Sequence, residues 1–327
     1  MKRPSLPPSL YQPRALSSIA FIMYGLLMFF GCAFLTGYVA GAGIPLWVKT
    51  LTILVLILAT QQGAHVMGWV GHEGIHLNLF RSRYLSALVG AFVGAAIFFP
   101  IMGYGISHWN HHRFTNQQSD PDAEIFPKFK TFWRRFFFAR GDAQRSYLKA
   151  NVEMALGRPL PFGYRLPFPA PVQRTLAWAN LGFLMFWFLV YATVALQSPL
   201  TALLGIVLPL ILVAPFSGLR AYVEHSGTGI GMFRDARSYV SPIYTVLFFC
   251  NNYHLEHHLY PTVPCYNLPA VHRLLKAGGY YDRWRSPVDT TVLGPMAHTA
   301  ARSPYPGPLG SDLSDDPFRA VVEEKQA

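Results

Sequence analysis

The sequence predicts an all-α integral membrane protein with four transmembrane helices in two hairpins, a cytoplasmic helical cap that carries clustered histidines, and further interfacial or re-entrant helices. Three observations lead to this fold class. Hydrophobic residues make up 52% of the 327 residues and charged residues only 13%, about half the share of roughly 25% found in soluble domains. Four stretches of about 20 residues are nearly free of charge, which is the length that crosses a bilayer as a helix. Finally, most of the 12 histidines fall in short groups.

The four apolar stretches pair into two hairpins. The first pair covers residues 15–40 and 47–70, separated by the helix-breaking sequence Gly41 to Pro45. The second covers residues 175–196 and 200–219, with only three residues between them. At 1.5 Å rise per residue, each stretch can cross about 30 Å of hydrocarbon. The predicted organisation is a cytoplasmic N-terminal segment at 1–14, a membrane domain at 15–299 and a disordered acidic tail at 300–327.

The distribution of positive charge orients these hairpins. Lys2, Arg3 and Arg14 precede the first stretch, whereas both hairpin turns are uncharged. The segment between the hairpins and the segment after the fourth stretch are rich in arginine and lysine. Because basic loops stay in the cytoplasm, both termini and both of these segments are predicted there. The net charge of +11 is then a topology signal with added attraction to anionic lipid, and no nucleic-acid partner is expected.

Two shorter apolar segments do not fit a simple crossing. Residues 85–106 are apolar but contain several glycines and Pro100, and they are too short to cross twice. A single crossing would separate their flanks, so this segment is predicted to lie in the interface or to enter and return, where protein must cover its backbone. Residues 239–249 are shorter still and are predicted to be interfacial.

Four short groups of histidines lie outside the predicted spans, and all four are on the predicted cytoplasmic side. On a helix, residues three and four apart share a face, so each HxxxH or HxxHH group can direct its imidazoles at one point. The groups read HEGIH, HWNHH, YVEHS and HLEHH. Their members are His72, His76, His108, His111, His112, His225, His254, His257 and His258.

Nine clustered imidazoles exceed what one four- to six-coordinate ion can take, so two metal ions are implied. The three cysteines are widely spaced and include no CxxC pair, which argues against a structural zinc ribbon or a disulfide framework. Composition alone leaves iron, zinc and manganese open. A metal transporter is disfavoured, because the four predicted spans contain almost no ionisable groups for a metal path.

Several polar residues beside the groups are candidates for a supporting role. Carboxylates could accept the second ring N–H of a ligand and hold its tautomer, although ordinary ion pairing is an equally good interpretation. These carboxylates are Glu73, Asp120, Asp122, Glu224 and Glu256. Four residues around the last group could bond to ligands or to water, namely Asn251, Asn252, Tyr253 and Tyr260. Of the remaining histidines, His65 is predicted to pack against neighbouring side chains, and His272 and His298 are predicted to lie on the surface.

This pattern resembles the integral-membrane fatty acid desaturase superfamily, which also includes membrane hydroxylases and carotenoid ketolases. The resemblance covers roughly Tyr24 to Leu275 and rests on HEGIH, on HWNHH followed by Phe-Thr and Asp120-Pro-Asp, on YVEH, and on NNYHLEHHLYPTVPCYNLP. It implies a non-haem centre of two iron ions held by the nine histidines at the cytoplasmic face. It also implies O2 as co-substrate and a lipid or acyl substrate.

Departures from the histidine patterns of some subfamilies narrow the choice of subfamily for this chain. The first group has three residues between its histidines, unlike the stearoyl-CoA type, and the last begins with His254 rather than the Gln of front-end desaturases. No His-Pro-Gly-Gly signature of a fused cytochrome b5 appears in the sequence. The resemblance therefore implies a separate electron donor with its reductase, such as a ferredoxin, a rubredoxin or a cytochrome b5-like carrier. It is strongest to bacterial lipid desaturases, which places the protein in a bacterial cytoplasmic membrane with its active site and both termini cytoplasmic.

The expected activity is O2-dependent desaturation of a fatty acyl or other lipid chain. A membrane hydroxylase or ketolase acting on a lipid or carotenoid is the near alternative, because the same oxidant can insert oxygen. Desaturation of a small amino-acid-derived metabolite is a further alternative within the same superfamily. The sequence leaves these three open.

Overall fold

The computed structural model describes residues 3–117, 119–122, 128–160 and 166–298. The predicted acidic tail at 300–327 lies outside the described residues. Among the described residues, four helical stretches are long and apolar enough to cross a membrane, as the predicted spans require. They are Pro8–Gly41, Leu46–Ile75, Ala170–Gln197 and Thr201–His225.

Helices account for nearly all of the described secondary structure. In chain order they are α1 Ala15–Leu26, α2 Cys32–Gly41, α3 Leu46–Ile75, α4 Arg83–Ala95, α5 Ile101–Phe114, α6 Phe132–Ala155, α7 Ala170–Gln197, α8 Leu208–His225, α9 Pro242–Leu247, α10 His254–Leu259, α11 Leu268–Ala277, α12 Tyr280–Trp284 and α13 Gly294–His298. Short 3-10 turns occur at Pro8–Tyr11 and Cys265–Asn267, and π-helical turns at Leu27–Gly31 and Thr201–Val207. The only departure from an all-α fold within these ranges is a parallel pair of two-residue strands, β1 Ser238–Tyr239 and β2 Val288–Asp289.

Two of the long helices continue past the ends that their apolar runs predict. Helix α3 ends at Ile75 rather than near residue 70, and α8 ends at His225 rather than near residue 219. An apolar run ends at the first polar residue, whereas backbone hydrogen bonding continues as long as the residues tolerate it. The first histidine group therefore begins inside the last turn of α3, and His225 closes α8.

Helix α3 is the centre of the fold. It packs against α1, α2, α4, α5 and α8, and its last six residues, Val70 to Ile75, are all buried. Helix α6 packs in turn against α5, α7 and α8. The histidine-bearing ends of α3, α5 and α8 are thus held by helices on several sides.

Residues 85–106 form two helices, α4 and α5, on either side of a break at residues 96–100. Side chains of other helices bond to the backbone around this break. Asn180 Oδ1 accepts from the Met102 amide at 3.1 Å, and the Tyr191 hydroxyl donates to the Ala96 carbonyl at 2.6 Å. Non-helical backbone is tolerated at membrane depth only where protein satisfies it. The observed hydrogen bonds meet that requirement for the predicted re-entrant segment.

A direct backbone contact brings α3 and α4 close together. A Cβ added to Gly90 would lie 2.7 Å from the Gly74 Cα, and one added to Gly74 would lie 2.6 Å from the Gly90 Cα. Real Cβ atoms do not approach so closely, so only glycine fits at either position. Gly74 lies between His72 and His76, which makes this contact part of the support for the first histidine group.

We expect Gly90→Ala to lower the thermal stability of the purified protein in detergent. The added methyl group must push α4 away from α3, and overpacking of this kind costs about 1–3 kcal/mol. Gly182→Ala is the matched control, because Gly182 is an exposed helical residue whose added Cβ meets nothing within 4 Å. Removing a glycine from such a position is neutral or stabilising. Equal melting temperatures for the two variants would contradict the proposed close contact.

Candidate metal centre

All nine clustered histidines converge in the interior, and each is at most 6% exposed. Helix α3 and the residue after it supply two of them, the C-terminal half of α5 supplies three, the end of α8 supplies one, and the six-residue α10 supplies three. Burying nine imidazoles together is costly unless their nitrogen atoms find partners. Their arrangement shows which partners they can take.

Five of the histidines form one cluster, which we call the first cluster. One ring nitrogen from each lies within 4.8 Å of the corresponding atoms of the other four. His108 Nε2 is 3.0 Å from His72 Nε2 and 3.1 Å from His112 Nε2. The members of the first cluster are His72, His76, His108, His112 and His257.

The other four histidines form a second cluster beside the first. His111, His225 and His258 each bring a ring nitrogen within 4.8 Å of the others. His254 joins them, because its Nε2 is 3.0 Å from His225 Nε2 and 3.1 Å from His258 Nε2. His111 Nε2 is 3.2 Å from His225 Nε2. Helix α5 contributes to both clusters: His108 and His112 face the first cluster, and His111 faces the second.

These clusters fit metal ions. Ligand nitrogens about 2.1 Å from an ion and at right angles around it lie about 3.0 Å apart, close to the Nε2 separations of 3.0–3.2 Å. Both ring nitrogens of the buried His257 lack a hydrogen-bond partner among the described residues. An ion would satisfy one of them. The all-imidazole donor set suits iron, zinc or another nitrogen-preferring metal.

The protonation state of five of these histidines is also suited to metal binding. Burial lowers the pKa of His108, His112, His254, His257 and His258 below the ordinary value. These imidazoles are therefore neutral near pH 7. A neutral imidazole presents the lone pair that a metal ion requires.

Asp120 orients one ring of the second cluster. His111 Nδ1 donates to Asp120 Oδ1 at 2.8 Å, and the same carboxylate accepts from the amides of Asn116 and Asp122. Burial lowers the pKa of His111, but the carboxylates of Asp120 and Asp122 more than offset it, so the pKa is raised to about 9. With a proton held on Nδ1, the Nε2 atom of His111 is directed at the second cluster.

Two further groups hold rings of the second cluster, and neither was expected from the sequence. His225 Nδ1 donates to the Asp235 carbonyl at 2.8 Å. His258 Nδ1 lies 3.3 Å from the Thr115 hydroxyl, which itself donates to the His111 carbonyl. A backbone carbonyl leaves no signal in a sequence. Thr115, by contrast, directly follows HWNHHRF and could have been considered as a ligand partner.

Two of the predicted carboxylates lie near the clusters with weaker contacts. Glu73 Oε1 is 3.3 Å from His72 Nδ1, while its other oxygen accepts from the Cys265 amide at 2.9 Å. Glu224 Oε1 accepts from Arg220 at 2.8 Å, and its Oε2 lies 3.7 Å from His254 Nδ1. Both carboxylates therefore share their oxygens between the histidines and other parts of the fold.

Glu256 does not contact a clustered histidine, although the sequence makes it a candidate partner for one. Its carboxylate points away from the nine histidines and bonds to Ser238, His272 and Tyr281. The prediction of a surface position for His272 is wrong, because this residue is 7% exposed and its Nδ1 lies 2.5 Å from Glu256 Oε1. Helix α11 is amphipathic, and His272 belongs to the face that it buries. Glu256 thus anchors α10 to α11, α12 and β1.

The other histidines and the polar residues flanking α10 lie outside the clusters. His65 Nε2 accepts from Trp69 Nε1 at 3.0 Å and contacts Arg220, as expected for a packing role. The His298 side chain is 27% exposed and packs on Tyr239. The flanking residues secure the backbone, since Asn251, Asn252 and Tyr260 donate to the carbonyls of Phe248, Tyr239 and Pro4, respectively.

A cavity of about 140 Å³ reaches both clusters. Helices α3, α5, α6 and α8 form its walls, and His254 of α10 completes them. Five histidines border it, two from the first cluster and three from the second: His72, His108, His111, His225 and His254. A small molecule in this cavity would lie against both candidate metal positions.

Comparison with known proteins agrees with this geometry. The sequence model of the family described as "Fatty acid desaturase" matches residues 45–287, which contain all nine clustered histidines. The chain is 25% identical to an acyl-lipid (9-3)-desaturase of Physcomitrium patens, over 72% of this chain and 50% of that protein. It therefore spans about half the length of that relative.

Two other relatives carry related names. A Delta(12)-fatty-acid desaturase of Vernicia fordii is 24% identical, over 85% of this chain and 80% of that protein. An sn-1 oleoyl-lipid 12-desaturase of Anabaena variabilis is 24% identical, over 61% of each chain. The family match covers most of the chain and includes every histidine of both clusters. The chain therefore belongs to the fatty acid desaturase family.

Proposed function

We propose that the protein is an O2-dependent di-iron desaturase that introduces a double bond into a fatty acyl or other lipid chain at the membrane. The observation that carries this proposal is the pair of adjacent clusters of five and four buried histidines, both bordering one cavity. In the proposed assignment, the first cluster holds one iron ion and the second cluster holds the other. Bound there, the two ions supply the activation of O2 and the oxidation of an unactivated C–H bond.

The overall reaction defines what else the protein needs. One CH2–CH2 unit, one O2, two electrons and two protons give one CH=CH unit and two molecules of water. The substrate loses two hydrogen atoms, and O2 is reduced by four electrons, two from the substrate and two from an external one-electron carrier. A ferredoxin, a rubredoxin or a cytochrome b5-like protein with its reductase has the required chemistry.

The residues of the chain itself orient the ligands and exclude water. Asp120, the Asp235 carbonyl and Thr115 each hold the Nδ1 side of one ring of the second cluster, so that its Nε2 faces inward. Glu73 and Glu224 do the same more loosely for His72 and His254. Near-complete burial of all nine rings keeps bulk water away from the reacting centre.

The proposed membrane arrangement follows the charge pattern. Two hairpins cross the bilayer, with both termini and the histidine-bearing cap in the cytoplasm of a bacterium. Support comes from the long apolar helices and from the position of the histidines at the ends of α3 and α8. The external electron carrier would then reach the centre from the cytoplasmic side.

Metal analysis of the purified protein tests the ligand assignment. We expect about two iron ions per chain in the wild type after anaerobic reconstitution with Fe2+. His257→Ala and His225→Ala each remove one ligand from a different cluster, so each is expected to lower the iron content toward one per chain. His298→Ala is the control, because His298 lies outside both clusters. Full iron content in both ligand variants would contradict the assignment.

Mass spectrometry of total lipids tests the reaction. Cells that express the wild type should contain a lipid product that lacks two hydrogens, and cells that express His257→Ala at an equal level should not. A product that carries an added oxygen instead would replace desaturation with hydroxylation. Equal amounts of the unsaturated product in both strains would refute a role for the clusters in the reaction.

Substitution of Asp120 tests the support of His111. We expect Asp120→Asn to lower iron affinity or turnover by about 10- to 100-fold, because the amide is a weaker acceptor for the Nδ1 proton. The melting temperature of the iron-free protein should change much less than the iron affinity. Asp142→Asn, which alters a partly exposed carboxylate paired with Lys128, should leave iron affinity unchanged. Unaltered iron affinity in Asp120→Asn would show that the contact has no role in metal binding.

A further inference from the structure

Helix α6 exposes an apolar face, although it is not one of the four candidate spans. Five of its large apolar side chains are between 36% and 64% exposed: Trp133, Phe137, Phe138, Leu148 and Val152. At about 100° per residue, all five fall within one sector of about 140° around the helix. The other side of the helix is buried against the rest of the fold. An exposed apolar surface of this kind marks contact with a membrane or with another protein.

The contacts of α6 show its level along the candidate spans. Near the start of α6, the Arg135 guanidinium lies 3.7 Å from the centroid of the Tyr222 ring on α8. Near its end, the Ala155 carbonyl accepts from Arg174 Nε on α7 at 3.0 Å. Tyr222 and Arg174 each lie roughly 20 helical residues, about 30 Å, from the short connection between their two spans. Helix α6 therefore runs across both spans at the level where their apolar runs end.

The exposed face of α6 is continuous with an exposed face of α8. The ring of Phe136 on α6 meets the ring of Phe216 on α8 edge-on, with their centroids 5.5 Å apart. Phe216 belongs to a candidate span and is itself 54% exposed, so its outer side faces lipid in the proposed membrane arrangement. Trp133 and Phe137 adjoin Phe136. One aromatic patch therefore extends from the span onto α6, and aromatic residues are enriched where a membrane meets water.

Basic side chains accompany the apolar ones on the same face. Arg134, Arg145 and Lys149 are exposed on α6, and the exposed Lys130 precedes the helix. Lys149 lies 3.9 Å from Glu153. Within the described part of the chain, Lys130, Arg134 and Arg145 make no ion pair. Aromatic and basic residues mixed on one helical face are typical of helices that lie in the surface of an anionic membrane.

We propose that the exposed face of α6 is a binding surface for anionic phospholipids, in the leaflet on the histidine side of the membrane. Its aromatic side chains enter the region between headgroups and acyl chains, about 5–10 Å deep. Arg134 and Arg145 meet the phosphate groups. This placement refines the sequence prediction that the whole segment between the hairpins lies in the cytoplasm. Arg140 and Gln144 of the same helix border the cavity beside the clusters, so the leaflet lies against a helix that forms a wall of that cavity.

Spin labels in the full-length protein test the depth of this face. A nitroxide is attached at Phe137→Cys, in a background whose two partly exposed cysteines are replaced by alanine. The protein is placed in bilayer discs of phosphatidylglycerol and phosphatidylcholine, and the label is exposed to O2 or to a water-soluble nickel chelate. Leu189→Cys, on the exposed side of α7, is the control for hydrocarbon, and Lys276→Cys, on the exposed side of α11, is the control for water.

We expect the label at residue 137 to lose most of the accessibility to nickel that the label at residue 276 shows. Its accessibility to O2 should approach that of the label at residue 189, because O2 concentrates in hydrocarbon. Equal accessibility to nickel at residues 137 and 276 would overturn the proposal. A dimer of the chain in detergent that Phe137→Ser dissociates would instead assign this face to a second copy.

Native mass spectrometry of the full-length protein tests the preference for anionic lipid. The wild type, offered equal amounts of the two phospholipids, should retain more phosphatidylglycerol than phosphatidylcholine. Replacing Arg134 and Arg145 together by Gln should reduce this preference by about fivefold for each side chain. The matched control replaces Arg273 and Lys276 by Gln, which removes the same charge from the exposed side of α11.

The comparison of the two double variants decides the charge part of the proposal. A preference that falls only in the α6 variant supports specific binding by this helix. An equal fall in both variants would show a response to net charge alone, and an unchanged preference in the α6 variant would show that lipids bind elsewhere. Both outcomes overturn the proposal. All four substituted side chains are exposed, so both variants should keep the melting temperature of the wild type.

Discussion

The structure depends on one constraint: nine imidazoles must meet in the protein interior with one ring nitrogen of each directed at its neighbours. No single element can supply them, so the fold must bring together the ends of three long helices and one short helix. Helix α3 makes this possible, because it contacts five other helices and ends at the first cluster. The contact of Gly74 with Gly90 then brings α4 against α3 at the level of the histidines. The break between α4 and α5 turns the chain so that α5 presents three histidines to the same region.

Each inward-facing ring needs a partner on its other side, and the structure provides these partners unevenly. His111 has a buried carboxylate, His225 a backbone carbonyl and His258 a hydroxyl. In the first cluster, His257 has no such partner among the described residues. The second cluster is therefore held more firmly in its tautomeric state before any ion arrives. The first cluster depends more on the ion itself, because coordination would fix one nitrogen of a ring such as His257 that no hydrogen bond fixes.

Much of this arrangement could be predicted from the sequence, because the strongest constraints are local. Charge-free runs of about 20 residues reveal the spans, and three- or four-residue spacing reveals which histidines share a helical face. The sorting of nine histidines into five and four could not be predicted, since it depends on how α5 is rotated between α3 and α8. The contacts of Glu256 could not be predicted either. Its neighbours His254, His257 and His258 suggest a ligand partner, but on a helix of one and a half turns the adjacent residue faces the opposite way, toward His272 and Tyr281. Thr115 and the Asp235 carbonyl act through the tertiary fold alone.

The relatives and the cavity provide different information about the substrate. Membership of a family rests on the histidines and the helices that carry them, which all members need in order to hold the metal ions. Substrate choice rests on the walls that face those ions, and these can differ while the histidines remain the same. In this chain those walls combine apolar residues of α3 and α8 with the polar side chains of Arg140 and Gln144 on α6. These wall residues, rather than the nine histidines, are therefore where the choice of substrate must be determined.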